Sequence, residues 1–280
     1  MPDSGIILAA PAALRRRATP RGGHLLVFWL LASLLLGFVL VPLLGLADSE
    51  SAGALRQVAA MPEARAAIAM SLFAAAIAAI LAGLFGVPLA WLLARAAFPG
   101  RAVVAAIVDL PLAVPHTVAG IALLIVLGRH GVIGAPAAAI GLEFWGTLAG
   151  VVAAMLFVSA PYTVNAARLG FEAIDPRLEM VARSLGLAPS RVLWHITLPL
   201  AGRGILTGLT LTFARALSEF AAVAILAYYP KTAPVLIYEL FLRFGLGEAA
   251  ALSVIVLAVS LALFILLRAL AGRAPQVGER

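Results

Sequence analysis

Asp175-Pro-Arg-Leu-Glu-Met-Val-Ala-Arg-Ser-Leu-Gly-Leu-Ala-Pro-Ser-Arg-Val-Leu-Trp-His-Ile-Thr-Leu-Pro199 is the stretch of this chain that reads as helix without reading as membrane. Asp175 carries the short acceptor side chain that caps a helix, and Pro176 suits the first helical position, where a missing N–H costs nothing. Leu178, Val181, Ala182 and Leu185 then fall at i, i+3, i+4 and i+7, which predicts an amphipathic helix. Gly186 is placed to stop it. Pro189 opens a second short helix whose apolar residues are Val192, Leu193 and Ile196, and Pro199 begins the next segment. The prediction is two short helices at an angle, with one apolar face.

On either side the chain becomes strongly apolar. Its 280 residues are 64% hydrophobic and 12% charged, with a mean hydropathy of +1.09. A soluble domain carries about 25% charged residues, and a soluble fold of this length has too little interior to hide so much apolar surface. Lipid can be the solvent instead. A spanning helix needs about 20 mostly apolar residues, and six stretches qualify: 25–47, 68–94, 103–127, 147–165, 204–228 and 249–270. The fold class is therefore all-α, a polytopic membrane protein with six transmembrane helices. Residues 1–24 and 271–280 are its tails, and 166–203 is its longest loop. The first apolar run, of 23 residues, exceeds a signal-peptide core of about 7–15 and reads as an uncleaved anchor. Ala47-Asp48-Ser49 leaves a cleavage site open.

Orientation follows from Lys and Arg in the loops. With the N-terminus inside, 14 of these residues fall inside and 5 outside, with Arg215 left within a span. Both termini and the 166–203 loop are then cytoplasmic. The net charge of +7 flanks apolar spans and is a topology signal, so no nucleic acid is implied as partner. With no cysteine, disulfides, thiolate catalysis and Cys-ligated metals are excluded. The histidines His24, His116, His130 and His195 are scattered, and neither His-Glu-x-x-His nor Gly-x-Ser-x-Gly occurs. No catalytic residue and no metal site are assigned. A nucleotide cradle is also absent: the single lysine, Lys231, has no Gly-rich run before it.

Charged groups at mid-membrane are costly and point to function. Arg215 lies 11 residues into the fifth span, about 16 Å along it, with Glu219 one turn on at i+4. His116 lies 13 residues into the third span, about 20 Å along. These groups share a depth. A polar lining near a central gate and a buried pair that fixes helix packing both fit them; Asp109, nearer the inner face, reads as structural. Pro111 and Pro115 interrupt the third span and Gly120 follows, which marks a break beside a transport site or a packing kink. The loop 166–203 fits a helix pair on lipid headgroups or a knob inserted into a cytosolic partner.

The run Glu179 to Gly186, then nine residues, then Ile196-Thr-Leu-Pro199, resembles the EAA loop of type I ABC importer permeases. The family pattern is Glu-Ala-Ala, three residues, Gly, nine residues, Ile, one residue, Leu-Pro. The spacing from Gly186 onward matches. At the start, Met180 holds the Glu position and Val181 the first Ala, and Glu179 stands one place early. The resemblance implies a coupling helix that docks on a separate ATP-hydrolysing subunit through Glu179, Ala182, Gly186, Leu187, Ile196, Leu198 and Pro199. ATP and Mg would then belong to that partner, with no cofactor on this chain.

Pro111-Leu-Ala-Val-Pro-His-Thr-Val-Ala-Gly120, Ala214-Arg-Ala-Leu-Ser-Glu-Phe220 and Ala227 to Glu239 resemble the molybdate/tungstate branch of that family. Relatives often have Gly where Ser218 and Ala221 stand. The branch implies a homodimer in the inner membrane with two cytosolic ATPases and an external solute-binding protein. It also implies an oxyanion cargo met along the pathway by His116, Thr117, Arg215 and Ser218, beside Glu219. The outer loop 229–247 fits an interfacial helix or a docking surface for the binding protein. Sulfate/thiosulfate or thiamine permeases share parts of these segments; an ion-coupled secondary transporter or an intramembrane enzyme is the alternative of another class.

Overall fold

The computed structural model describes residues 24–272, and every regular element among them is helical. The tails expected at 1–24 and 271–280 lie, except for their innermost residues, outside the described residues. The chain divides into two units at Asp48–Ser49. The first contains α1 (His24–Asp48), 25 residues of nearly uninterrupted apolar side chains. At about 1.5 Å per residue it exceeds the roughly 30 Å of a bilayer core.

The second unit runs α2 (Ala52–Ala60), α3 (Pro62–Arg95), α4 (Arg101–Ala113), α5 (His116–Leu127), α6 (Gly134–Ala139), α7 (Leu148–Glu172), α8 (Pro176–Ser184) and α9 (Pro189–Val192). A π-turn (Leu193–Thr197) leads into α10 (Leu198–Leu217), α11 (Ala221–Leu226), α12 (Ala233–Phe244) and α13 (Leu246–Gly272). Its centre is the mutual packing of α3, α7 and α10. In lipid, apolar side chains gain nothing by leaving solvent for one another, so helices associate where small residues let backbones approach. The buried stripe of α3 is accordingly Ala67, Ser71, Ala74, Ala78, Ala82 and Gly86. Where α7 crosses α10, a Cβ on Gly204 would lie 2.8 Å from the Gly170 Cα, and one on Gly208 would lie 2.9 Å from the Thr163 Cα. The same seam buries a hydroxyl relay: Thr163 and Thr212 are 2.7 Å apart, and Thr212 donates to the Ser159 carbonyl at 3.0 Å.

Three spans depart from their expected form. The third is two helices, α4 and α5, bent by 113°. Pro111 sits inside α4; the break falls at Val114–Pro115, where Val114 is extended and Pro115 precedes α5. A residue before proline is pushed out of the helical region; Val114 follows this and is extended, whereas Leu110 before Pro111 stays within α4. Gly120 breaks nothing: a Cβ there would meet the Ala222 Cα at 2.9 Å, so it is where α5 rests on α11. The two halves keep pace with α7 from end to end. Arg101 reaches Glu172 at one end of α7, and Arg129 lies over the Trp145 ring just beyond its other end. Counted as one crossing, the bent pair brings the five other candidate spans to six.

The fourth span was expected to end at 165, but α7 continues to Glu172, with Arg168 and Glu172 paired along its surface at 2.8 Å. The fifth was expected over 204–228. Instead α9 feeds through the π-turn into α10, which stops at Leu217, and α11 is a separate short helix. Pro199 has no N–H for the His195 carbonyl and its ring crowds that position, so the turn before it widens, with Leu198 N–H donating to the Leu193 carbonyl. At the other break, Ser218 Oγ donates to the Arg215 carbonyl and the Glu219 carboxylate accepts from Ala222 N–H.

Candidate functional site

Polar side chains gather at three levels of the second unit. At the end carrying residues 173–197, Asp175 caps α8 by accepting from Arg177 N–H at 2.9 Å, with Pro176 at its first position. Gly186 takes φ +90°, and the α8 terminus closes with Gly186 N–H to the Arg183 carbonyl and Leu187 N–H to the Ala182 carbonyl. This is the Schellman stop that glycine favours. The predicted single apolar face is divided. Leu178, Val181 and Leu185 are exposed, with Met180 beside them, while Ala182 is buried against the spans. In the second helix Val192 is buried and Leu193 and Ile196 are half-buried. The loop therefore has an outward apolar stripe on α8 and an inward apolar seat under α9. Leu198 packs against the core cluster that contains Leu93, Phe171 and Ile174, and Pro199 is exposed at the start of α10.

Glu179 faces inward. Its Oε1 accepts from Arg95 Nε at 3.1 Å and from Thr197 Oγ1 at 3.1 Å. The same guanidinium donates to the Ile174 carbonyl at 3.1 Å. Nothing in the local pattern signalled this pairing across 84 residues; an arginine ending one span and an acid in a later loop are its only trace.

Mid-way along the helices, the structure brings together His116, Arg215, Ser218 and Glu219. Arg215 NH2 donates to Glu219 Oε2 at 2.7 Å and approaches His116 Nε2 at 2.7 Å, and its NH1 donates to Ser218 Oγ at 3.3 Å. Guanidinium nitrogens only donate, so a ring nitrogen of His116 accepts from Arg215 NH2, which lies 2.7 Å from Nε2 and 3.3 Å from Nδ1, and Nδ1 is 3.8 Å from Glu219 Oε2. The Glu219 side chain is 2% exposed and Arg215 20%, while His116 keeps 43%. Thr117 is exposed on the first turn of α5 and takes no part in these contacts. The break in α4–α5 and the break in α10–α11 thus lie side by side, joined by one arginine. Nearer the 173–197 end, Asn165 Nδ2 donates to Asp109 Oδ1 at 2.6 Å and ties α4 to α7.

At the opposite end Lys231 bridges Glu63 and Glu239, 2.7 Å from each, and Tyr228 donates to Glu239 at 2.9 Å. Burial alone would lower the Lys231 pKa, but the bonds to Glu239 and Glu63 outweigh it and hold the ammonium above the usual lysine range. The bond from Lys231 lowers the Glu239 carboxyl. Among the described residues no group of three or more His, Asp or Glu side chains is placed to hold a metal.

The sequence of this chain matches a known family. The family described as binding-protein-dependent transport system inner membrane component matches over residues 86–274. The chain belongs to this family. It is 42% identical over 251 residues to the molybdate/tungstate transport system permease protein WtpB of Thermococcus kodakarensis, covering 89% of this chain and 96% of that one. It is 43% identical over 208 residues to the protein of the same name in Pyrococcus abyssi, covering 74% and 79%. A solved bacterial alginate ABC transporter, in complex with a periplasmic protein bound to an alginate pentasaccharide, shares the fold. That likeness has a TM-score of 0.70 at 20% identity and covers 89% of this chain and 94% of that one. As a family member the chain is a multi-pass inner-membrane transport subunit with the ABC importer permease fold.

Proposed function

We propose that this chain is one half of the membrane pathway of an ATP-driven importer for a tetrahedral oxyanion, molybdate or tungstate. It works as a homodimer with two separate cytosolic ATPases and an external binding protein. The 173–197 end and both termini are cytoplasmic. The braced knob carries this function. Leu178, Val181 and Leu185 form an outward stripe on a helix fixed at both ends by a side-chain cap and a glycine stop, which suits a cleft in a partner that must push on it. The arginine-rich loops on that side support the orientation, and the relatives' names support the cargo.

The polar cluster suits transit. Arg215 is paired with Glu219 at 2.7 Å, so its guanidinium charge is compensated within the chain. A bare arginine in this low-dielectric setting would trap a dianion, whereas a neutralised one still offers donors. His116, Thr117, Arg215 and Ser218 line the route in this reading, and selection rests with the binding protein.

The test is ATP hydrolysis by the complete complex in liposomes, with loaded binding protein and molybdate, tungstate, sulfate or thiamine in turn. Stimulation by molybdate or tungstate alone is expected. Stimulation only by sulfate or thiamine overturns the cargo, and failure of any ATPase to associate overturns the importer.

A further inference from the structure

The acid of the knob sits on an unexpected side. Glu179 is the single acidic residue of α8, and one residue along a helix is a rotation of about 100°. Met180, which occupies the Glu position of the family pattern, is 49% exposed beside the outward stripe. Glu179 is instead turned to the chain's own spans, where its side chain is 13% exposed and that of Arg95 14%. The partner ATPase therefore meets sulfur and aliphatic carbon at that position, while the charge is directed inward.

Arg95 is the last residue of α3 and holds three elements together. It bonds the Ile174 carbonyl just ahead of α8 and Glu179 within α8. Glu179 in turn accepts from Thr197, 1% exposed, at the end of the π-turn that opens α10. The planar fork of arginine suits two acceptors at fixed angles. α3 then runs as one helix of 34 residues to Pro62, and Glu63 at that far end is tied to Lys231. A displacement of the knob is thus delivered to a continuous helix that passes through the central seam and is anchored beyond it.

We propose that Arg95 and Glu179 are positioning residues for energy coupling. They lock the knob to α3 so that ATPase closure moves the core helix. This rests on the importer reading above. Coupling between two sites is typically worth about 5- to 150-fold, so a loss of about tenfold is expected in oxyanion imported per ATP hydrolysed. The experiment measures that ratio in the purified complex for Arg95→Ala, Glu179→Gln and the apolar double variant R95M/E179M. Removing both charges avoids an unpaired buried charge, so the double variant keeps the test valid should a single variant fail to assemble. R95K, which keeps charge but loses the fork, is expected to recover part of the ratio. A double variant with the wild-type ratio overturns the proposal. So does a Glu179→Gln variant that weakens ATPase association at an unchanged ratio, because that places the acid in the partner's cleft. Absence of ATPase association in the unmodified chain is a different failure and strikes the importer reading first.

Discussion

Arg215–Glu219 and Arg95–Glu179 are similar in chemistry and opposite in construction. The first pair is four residues apart, with Arg215 in the last turn of α10 and Glu219 in the break beyond it; the second is 84 residues apart and joins a loop to a span. Glu219 is almost sealed from solvent at 2%, whereas Glu179 keeps 13%. A local pair holds a broken element in shape, and a long-range pair makes two elements move as one. The depth of burial then decides which is costly to damage and which is costly to uncouple.

The largest expected effect is on the sealed pair. Arg215→Ala leaves Glu219 with the Ala222 N–H as its remaining hydrogen bond and His116 at 3.8 Å, and an uncompensated buried charge costs about 3–5 kcal/mol. The solubilised protein should lose most of its thermal stability. R215M/E219M, which removes both charges and keeps volume, should recover most of the loss. Equal damage from the single and double variants would show that the break at Ser218 depends on the charges themselves and not on satisfying Glu219.

Glycines sharpen the comparison next, one in each region. Gly120 is needed for space, since a Cβ would lie 2.9 Å from the Ala222 Cα. Gly120→Ala forces α5 from α11 beside the Arg215 cluster, at a cost of about 1–3 kcal/mol. Gly186 is needed for conformation. Its φ is +90° with nothing within 4 Å of a Cβ, so Gly186→Ala costs about 1–2 kcal/mol of backbone strain. Gly186→Asn should be milder than Gly186→Ala, because Asn tolerates the left-handed region. At Gly120 the larger Asn should be worse than Ala. Thermal midpoints of the four variants decide between space and conformation.

The sequence disclosed these regions unequally, for physical reasons. The knob was legible because caps, glycine stop and helical period are local: Asp175, Pro176 and Gly186 fell where the pattern put them. The direction of its faces was not legible. Ala182 and Leu185 belong to one periodic set, yet one is buried and the other exposed, and only the tertiary placement of α8 separates them. The Arg215–Glu219 pair was legible from i+4 spacing and shared depth with His116. Its position at a helix break was not, because the Ser218 and Glu219 side chains replace backbone bonds there without any Pro or Gly between 214 and 228 to announce it. Arg95–Glu179 and Glu63–Lys231 needed the fold itself, since no local rule joins residues so far apart.

The smallest expected effects are at the far end, where the third ionic cluster tests whether exposure alone weakens a pair. Glu239 has a lowered pKa, so its contribution is complete above the unfolded value of about 4.3 and is lost as pH falls through the lower folded value. Lys231 has a raised pKa, so its contribution is complete below about 10.4 and is lost as pH rises through the higher folded value. Between these limits, from about pH 5 to 10, the cluster should add no slope to stability. Glu239→Gln should remove the acid-side loss and leave the rest of the profile flat. Arg243 belongs to the same cluster, 3.1 Å from Glu239, but is 63% exposed. Solvent and salt screen such a contact, and Arg243→Ala should cost between about 0 and 1 kcal/mol. A larger loss from Arg243→Ala than from Lys231→Met would mean that α12 is held by its rim and not by the lysine bridge. The gradation by burial that separates Arg215–Glu219 from Arg95–Glu179 would then fail at this end of the molecule.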